Sequence, residues 1–82
     1  MATKIDITQI PRAILEKAIQ LDNSLKRIFL CLYCCTKPVM AIEVAQKVGL
    51  ARAYVHMRLI QLERMGYVKR SREGRKVKFK VI

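Results

Sequence analysis

The chain has 82 residues, of which 17 are Lys or Arg and 6 are Asp or Glu, for a formal net charge of +11 at pH 7. That length bounds it to one small domain near the lower limit for a self-sufficient core, and an apolar content of 52% argues against disorder. So large a positive excess points to a polyanionic partner, of which nucleic acid is the commonest. Only five residues are aromatic and none is Trp (Tyr 3, Phe 2), so the core must be aliphatic.

Residues 1–8 read as a short flexible arm, and residues 9–82 as a single domain. The N-terminus lacks the apolar segment of a signal peptide, and the longest apolar run, Ile28–Cys35, is too short to cross a bilayer. No membrane partner is expected, and the expected location is the cytoplasm, on the nucleoid. Thr8 is a candidate N-cap, and Pro11 is tolerated in a first helical turn. Ile10, Ile14, Leu15, Ala18 and Ile19 follow one helical face, which predicts a first helix from about residue 9 to about 21.

Asp22, Asn23 and Ser24 are three capping residues in a row, and the sequence does not choose among them. A second helix is expected from about 24 to 36, stopping before Pro38. Leu25, Ile28, Phe29, Leu32 and Cys35 would form its inward stripe. Leu30, Cys31, Tyr33 and Cys34 make the rest of its circumference apolar, which calls for cover by the first helix, by a second copy, or by both.

Val39–Met40 can form a brief strand. Ala41–Val48 reads as a third helix and Leu50–Met65 as a fourth, with Gly49 in the turn between them and Gly66 where a helix-terminating glycine belongs. This is a helix-turn-helix. Beyond Gly66 the period changes: Val77, Phe79 and Val81 alternate with Lys76, Lys78 and Lys80, as in a half-buried strand. Tyr67–Arg72 is a second extended stretch, with Ser71–Arg75 as the hairpin loop. The fold class is α+β, mainly α: about four helices followed by a β-hairpin, which is a winged helix-turn-helix. The charge is concentrated in this half. Residues 52–80 hold ten Lys/Arg against two acids, whereas residues 1–51 hold seven against four.

Over about Leu25–Val81 the chain resembles the winged helix-turn-helix transcriptional regulators, in the manner of the ArsR and MarR groups of bacteria and archaea. Val44–Val81 looks like their helix, turn, recognition helix and wing, and Leu62-Glu63-Arg64-Met65-Gly66-Tyr67-Val68 is the most specific part. Ala51 stands where these regulators commonly carry Ser or Thr, which removes one phosphate contact. The sequence ends with the wing, without the C-terminal dimerisation helix of many relatives.

The resemblance implies that Arg52, Ala53, Tyr54, His56 and Met57 face the major groove of double-stranded DNA. Arg52 is suited to bidentate pairing with guanine, a contact of about 1–3 kcal/mol in base discrimination. His56 follows one turn later, Tyr54 could donate to a phosphate, and Ala53 and Met57 could touch thymine methyls. The blander alternative leaves Arg52 and His56 solvated and packs Tyr54 on the third helix. Arg58, with Lys69, Arg70, Arg72, Arg75, Lys76 and Lys78 of the wing, would contact the DNA backbone. Arg72 and Arg75, flanking the tip, could enter a narrow minor groove. Some of these charges would equally serve to guard an edge strand.

A homodimer is expected, with Ile10, Ile14 and Ile19 of the first helix and Cys31 and Cys34 of the second at its seam. Two-fold symmetry would then set two recognition helices about one DNA turn apart. Cys31, Cys34 and Cys35 fall within five residues of an apolar helix, and His56 is the only histidine. Structural zinc wants four ligands, so no metal is expected and the thiols read as packing groups or as an intersubunit disulfide. No Ser/His/Asp set, glycine-rich phosphate loop or close carboxylate pair is present. Neither enzymatic activity, nor a cofactor, nor a small-molecule substrate is expected. A transcriptional repressor is the leading reading. A sequence-neutral architectural DNA- or RNA-binding protein and a protein-interaction module are the alternatives.

Overall fold

The computed structural model describes residues 10–82. The arm and the Thr8 cap lie outside the described residues. Four helices come first: α1 (Arg12–Ile19), α2 (Asn23–Tyr33), α3 (Ala41–Val48) and α4 (Arg52–Arg64). Two antiparallel strands follow, β1 (Val68–Glu73) and β2 (Lys76–Val81). This is the winged helix-turn-helix architecture expected from the sequence.

α1 is shorter than its periodicity suggested because both ends are cut by local chemistry. Pro11 occupies the N-cap, and its carbonyl accepts from the Ile14 and Leu15 amides at 3.0 and 3.2 Å. At the other end Asp22 begins the next helix at once: its side chain accepts from Leu25 N at 2.9 Å and so caps α2. α2 ends at Tyr33, not near 36. The Cys35 amide turns back to the Leu32 carbonyl at 3.1 Å, and Pro38 then imposes an extended backbone.

Val39 is the entry to the helix-turn-helix and is tied to the wing. It exchanges both backbone hydrogen bonds with Phe79, at 3.0 and 2.7 Å. α3 begins where the Glu43 carboxylate accepts from Met40 N at 3.4 Å, and it is closed from outside as well. Arg27 of α2 donates to the Val48 carbonyl at 2.6 Å. Gly49 then takes φ +73°, and the Leu50 amide reaches back to Ala45 O at 3.2 Å. α4 ends in the same way, with Gly66 at φ +80°, Gly66 N on Glu63 O and Tyr67 N on Leu62 O, both at 3.0 Å. That pair of bonds is a Schellman motif and turns the chain sharply into β1.

The core lies between α2, α3, α4 and the inner face of the hairpin. Ile28, Phe29, Leu32, Val44, Val55, Leu59, Leu62, Val68 and Phe79 are its fully buried side chains. Cys31 also belongs to it. Expected on a seam between copies, it is only 3% exposed and packs inside its own protomer, because α2 is covered on that side by the rest of the fold. The hairpin loop expected over 71–75 contracts to a two-residue turn, Gly74–Arg75, since Glu73 pairs directly with Lys76.

Candidate nucleic-acid interface

α4 buries Val55, Leu59 and Leu62. A 3.6-residue period then sends a second stripe to the opposite side: Arg52, Ala53, His56, Met57, Gln61 and Arg64 are all exposed, with Ile60 half-buried among them. Met57 is 61% exposed, which is unusual for so large an apolar side chain. Four of the five residues expected to face the major groove (Arg52, Ala53, His56, Met57) therefore share one face. Ile60, Gln61 and Arg64 extend it with the same spacing, and Ile60 and Gln61 are additions to the residues expected from the sequence.

Tyr54 lies off this stripe and is half-buried, with the Arg58 guanidinium 5.5 Å from its ring centroid. Arg58 is placed differently from expectation. Its side chain is only 17% exposed. The guanidinium pairs with Asp22 and donates to Gln61 Oε1 at 2.8 Å, while its Nε is buried without a partner among the described residues. It ties α4 to the start of α2, and its guanidinium is engaged there by Asp22 and at the edge of the exposed stripe by Gln61.

The wing is divided by its register. Val68, Arg70 and Arg72 share a face with Val81, Phe79 and Val77, whereas Lys69, Ser71 and Glu73 share the other with Lys80, Lys78 and Lys76. The first face is the one that meets the helices. Phe79 is fully buried on it, and the His56 ring stands edge-on to Phe79 at 5.9 Å between centroids. Arg70 pairs with Glu63 of α4 at 3.3 Å. On the second face Lys78 pairs with Glu73 at 3.1 Å.

His56 thus stands between α4 and the wing. Together with Arg52 it borders an open cleft of about 210 Å³ that Arg75 and Lys76 of the wing turn and Ala41 and Ile42 of α3 also line. Two elements, α4 and the wing turn, bring three cations and the one histidine to a single concave surface. Such a surface favours a negatively charged group.

Of the expected seam residues, Ile10 is nearly buried, Ile14 half-buried and Ile19 72% exposed; Cys34, at the end of α2, is exposed. No group of three or more His, Cys, Asp or Glu among the described residues is placed to hold a metal ion. No helix among them is long and apolar enough to cross a membrane.

No curated protein matches this chain. Among solved structures, the crystal structure described as that of "the predicted DNA-binding transcriptional regulator from E. coli" is similar. Its TM-score is 0.65 at 19% identity, over 84% of this chain and 70% of that one. At that identity the likeness is one of fold. The family model for the IclR helix-turn-helix domain matches residues 25–72, from the third residue of α2 nearly to the end of β1. The resemblance to helix-turn-helix regulators is supported at this level, while the ArsR and MarR grouping finds no support in it. More than half of the sequence is covered, and the chain belongs to the IclR-type helix-turn-helix domain family.

Proposed function

We propose that this protein is a sequence-reading, double-stranded DNA-binding transcriptional regulator. The observation that carries the reading is the exposed stripe of α4 facing the same cleft as the wing turn. Arg52 and His56 come from the helix, and Arg75 and Lys76 from the hairpin. With α4 in the major groove, Arg52 offers a guanidinium to guanine, and Ala53 and Met57 offer apolar contact to thymine methyls. Arg72 and Arg75 at the wing tip take the adjacent backbone or minor groove. Arg58 contributes indirectly, by holding α4 on α2.

The regulator acts as a homodimer on an inverted repeat, most simply as a repressor that occupies its operator. Ile19 with the half-buried Ile14 of α1, and Cys34 at the end of α2, are the surface residues available to such a seam. The core position of Cys31 removes it from that set. The large cationic excess of residues 52–80 favours a second reading, a sequence-neutral nucleic-acid binder, because phosphate contacts alone give affinity without preference.

Selection from a random duplex pool at physiological salt, with RNA duplex as competitor, separates the two. Enrichment of an inverted repeat supports the dimeric regulator. Tight binding without enrichment transfers the case to the architectural reading, and no binding removes both.

A further inference from the structure

The hairpin register sorts the wing cations by side chain as well as by face. Arg70 and Arg72 lie on the face that meets the helices, while Lys69, Lys76, Lys78 and Lys80 lie on the outer face beside Ser71 and a single acid, Glu73. Lys78 is taken up by Glu73, and Lys76 lies at the wing turn, where it lines the α4 cleft. Lys69 and Lys80 remain, directly opposite each other, both exposed, and with no acid within 4 Å among the described residues.

Like charges directly opposite on a sheet repel and destabilise it. Guarding the edges of a two-stranded hairpin requires charge but not charge of one sign. Nor does a duplex seated on α4 account for the pair: Lys69 is expected from the sequence among the backbone contacts of that duplex, but the pairing register puts it with Lys80 on the outer face. That duplex meets the exposed stripe of the helix and the wing turn, whereas the Lys69–Lys80 pair points away from the face on which His56 meets Phe79.

We infer that the outer face of the wing, centred on Lys69 and Lys80, is a second binding surface for a nucleic-acid phosphate backbone. One protomer then holds two duplex segments at once, either two separate duplexes or two stretches of one bent duplex. Residues two apart on a strand are about 6.8 Å apart, and a duplex carries one charge per about 1.7 Å of axis, so a short lysine ladder always finds phosphates whatever the sequence. The inference rests on the α4 face being the first duplex site.

The test uses the full chain, a soluble labelled duplex and a second duplex on beads. The variant is Lys69→Thr with Lys80→Thr, which keeps β-forming residues on an exposed face. Wild-type protein should retain the labelled duplex on the beads, or draw the ends of one long labelled duplex together by energy transfer. The double variant should lose that retention or approach by about tenfold or more while its affinity for a single short duplex changes by less than about threefold.

Single-duplex binding with neither bridging nor end approach overturns the inference and leaves the α4 site standing. An equal loss of single-duplex affinity in the double variant and in Arg52→Ala, again without bridging, overturns it too, by assigning the lysines to the first site. Retention of phosphatidylserine vesicles but not of the second duplex assigns the face to a different partner and also overturns it. Failure of wild-type protein to bind any duplex removes the α4 reading and the inference together.

Discussion

Asp22 does two things at once: it caps the first turn of α2 through Leu25 N, and it holds the guanidinium of Arg58 on α4. A residue in the α1–α2 connection is thereby joined to the middle of the recognition helix, 36 positions further along the chain. The hydrogen bond from the Leu25 amide, and then the Arg58 guanidinium, hold the Asp22 carboxyl below the usual aspartate range.

Stability should therefore depend on acid pH through this residue. A carboxylate whose pKa is lower in the folded than in the unfolded state stabilises the fold fully above the unfolded value, about 4. The contribution is lost as pH falls below that, towards and through the native value. Asp22→Asn keeps a capping side chain but removes the charge. Its melting temperature should lie below that of the wild type at pH 7, and the difference should shrink towards pH 3. A gap of constant size across that range would mean that the charge of Asp22 has no part in stability.

Gly49 at +73° in the helix-turn-helix turn and Gly66 at +80° after α4 take φ values that other residues adopt at a cost. A Cβ at either position would meet nothing within 4 Å, so the penalty is one of backbone conformation and not of crowding. Gly49→Ala and Gly66→Ala should each lower unfolding free energy by about 1–2 kcal/mol, measured by urea titration, and Asn at either position should cost less than Ala. Equal losses for Ala and Asn would point to a cause other than the left-handed backbone.

How far the sequence discloses all this varies with the kind of signal. α3 is legible to the residue because chemistry marks both ends: Glu43 reaches back to Met40, and Gly49 takes the left-handed turn. From Ile28 onward α2 is apolar all round, so its period does not say which side is the core, and spacing alone leaves Cys31 facing outward. Arg58 sits at the border of a helical stripe, where spacing alone allows either direction. Its partner, Asp22, is remote in sequence, and only the folded chain brings the two together. The alternation of β2 was plain, but the division of the wing cations between two faces depended on the pairing register with β1. That register in turn followed from a turn of two residues where a loop of five was expected.

The thiols should differ in reactivity by position. Cys34 is exposed, Cys35 half-buried and Cys31 enclosed. Burial, followed by the neighbouring Cys35, pushes the Cys31 thiol up to about 11, so almost none of it is thiolate at neutral pH. Brief maleimide treatment of the native protein followed by peptide mass mapping should find Cys34 labelled first and Cys31 unlabelled until denaturant is added. The seam at Cys34 gains support if mild oxidation gives a covalent dimer that Cys34→Ser abolishes. Labelling of native Cys31 at the rate of Cys34 would contradict the enclosed position.

Arg52 and Arg75 line the same cleft but should fail in different ways when removed. Arg52 lies at the start of the exposed stripe of α4, where a guanidinium can pair with a base edge. Arg52→Ala should relax discrimination at one base pair of a selected operator by about 1–3 kcal/mol. Arg75, on the wing turn, should weaken all duplexes alike and reduce the slope of log affinity against log salt by about 1. Anisotropy titrations of both variants against the operator and single-base substitutions of it, at several salt concentrations, read both quantities. If Arg52→Ala lowers every duplex equally and changes only the salt slope, Arg52 is a phosphate contact. The cleft would then supply affinity alone, and base preference would have to come from elsewhere on α4 or from the shape of the DNA.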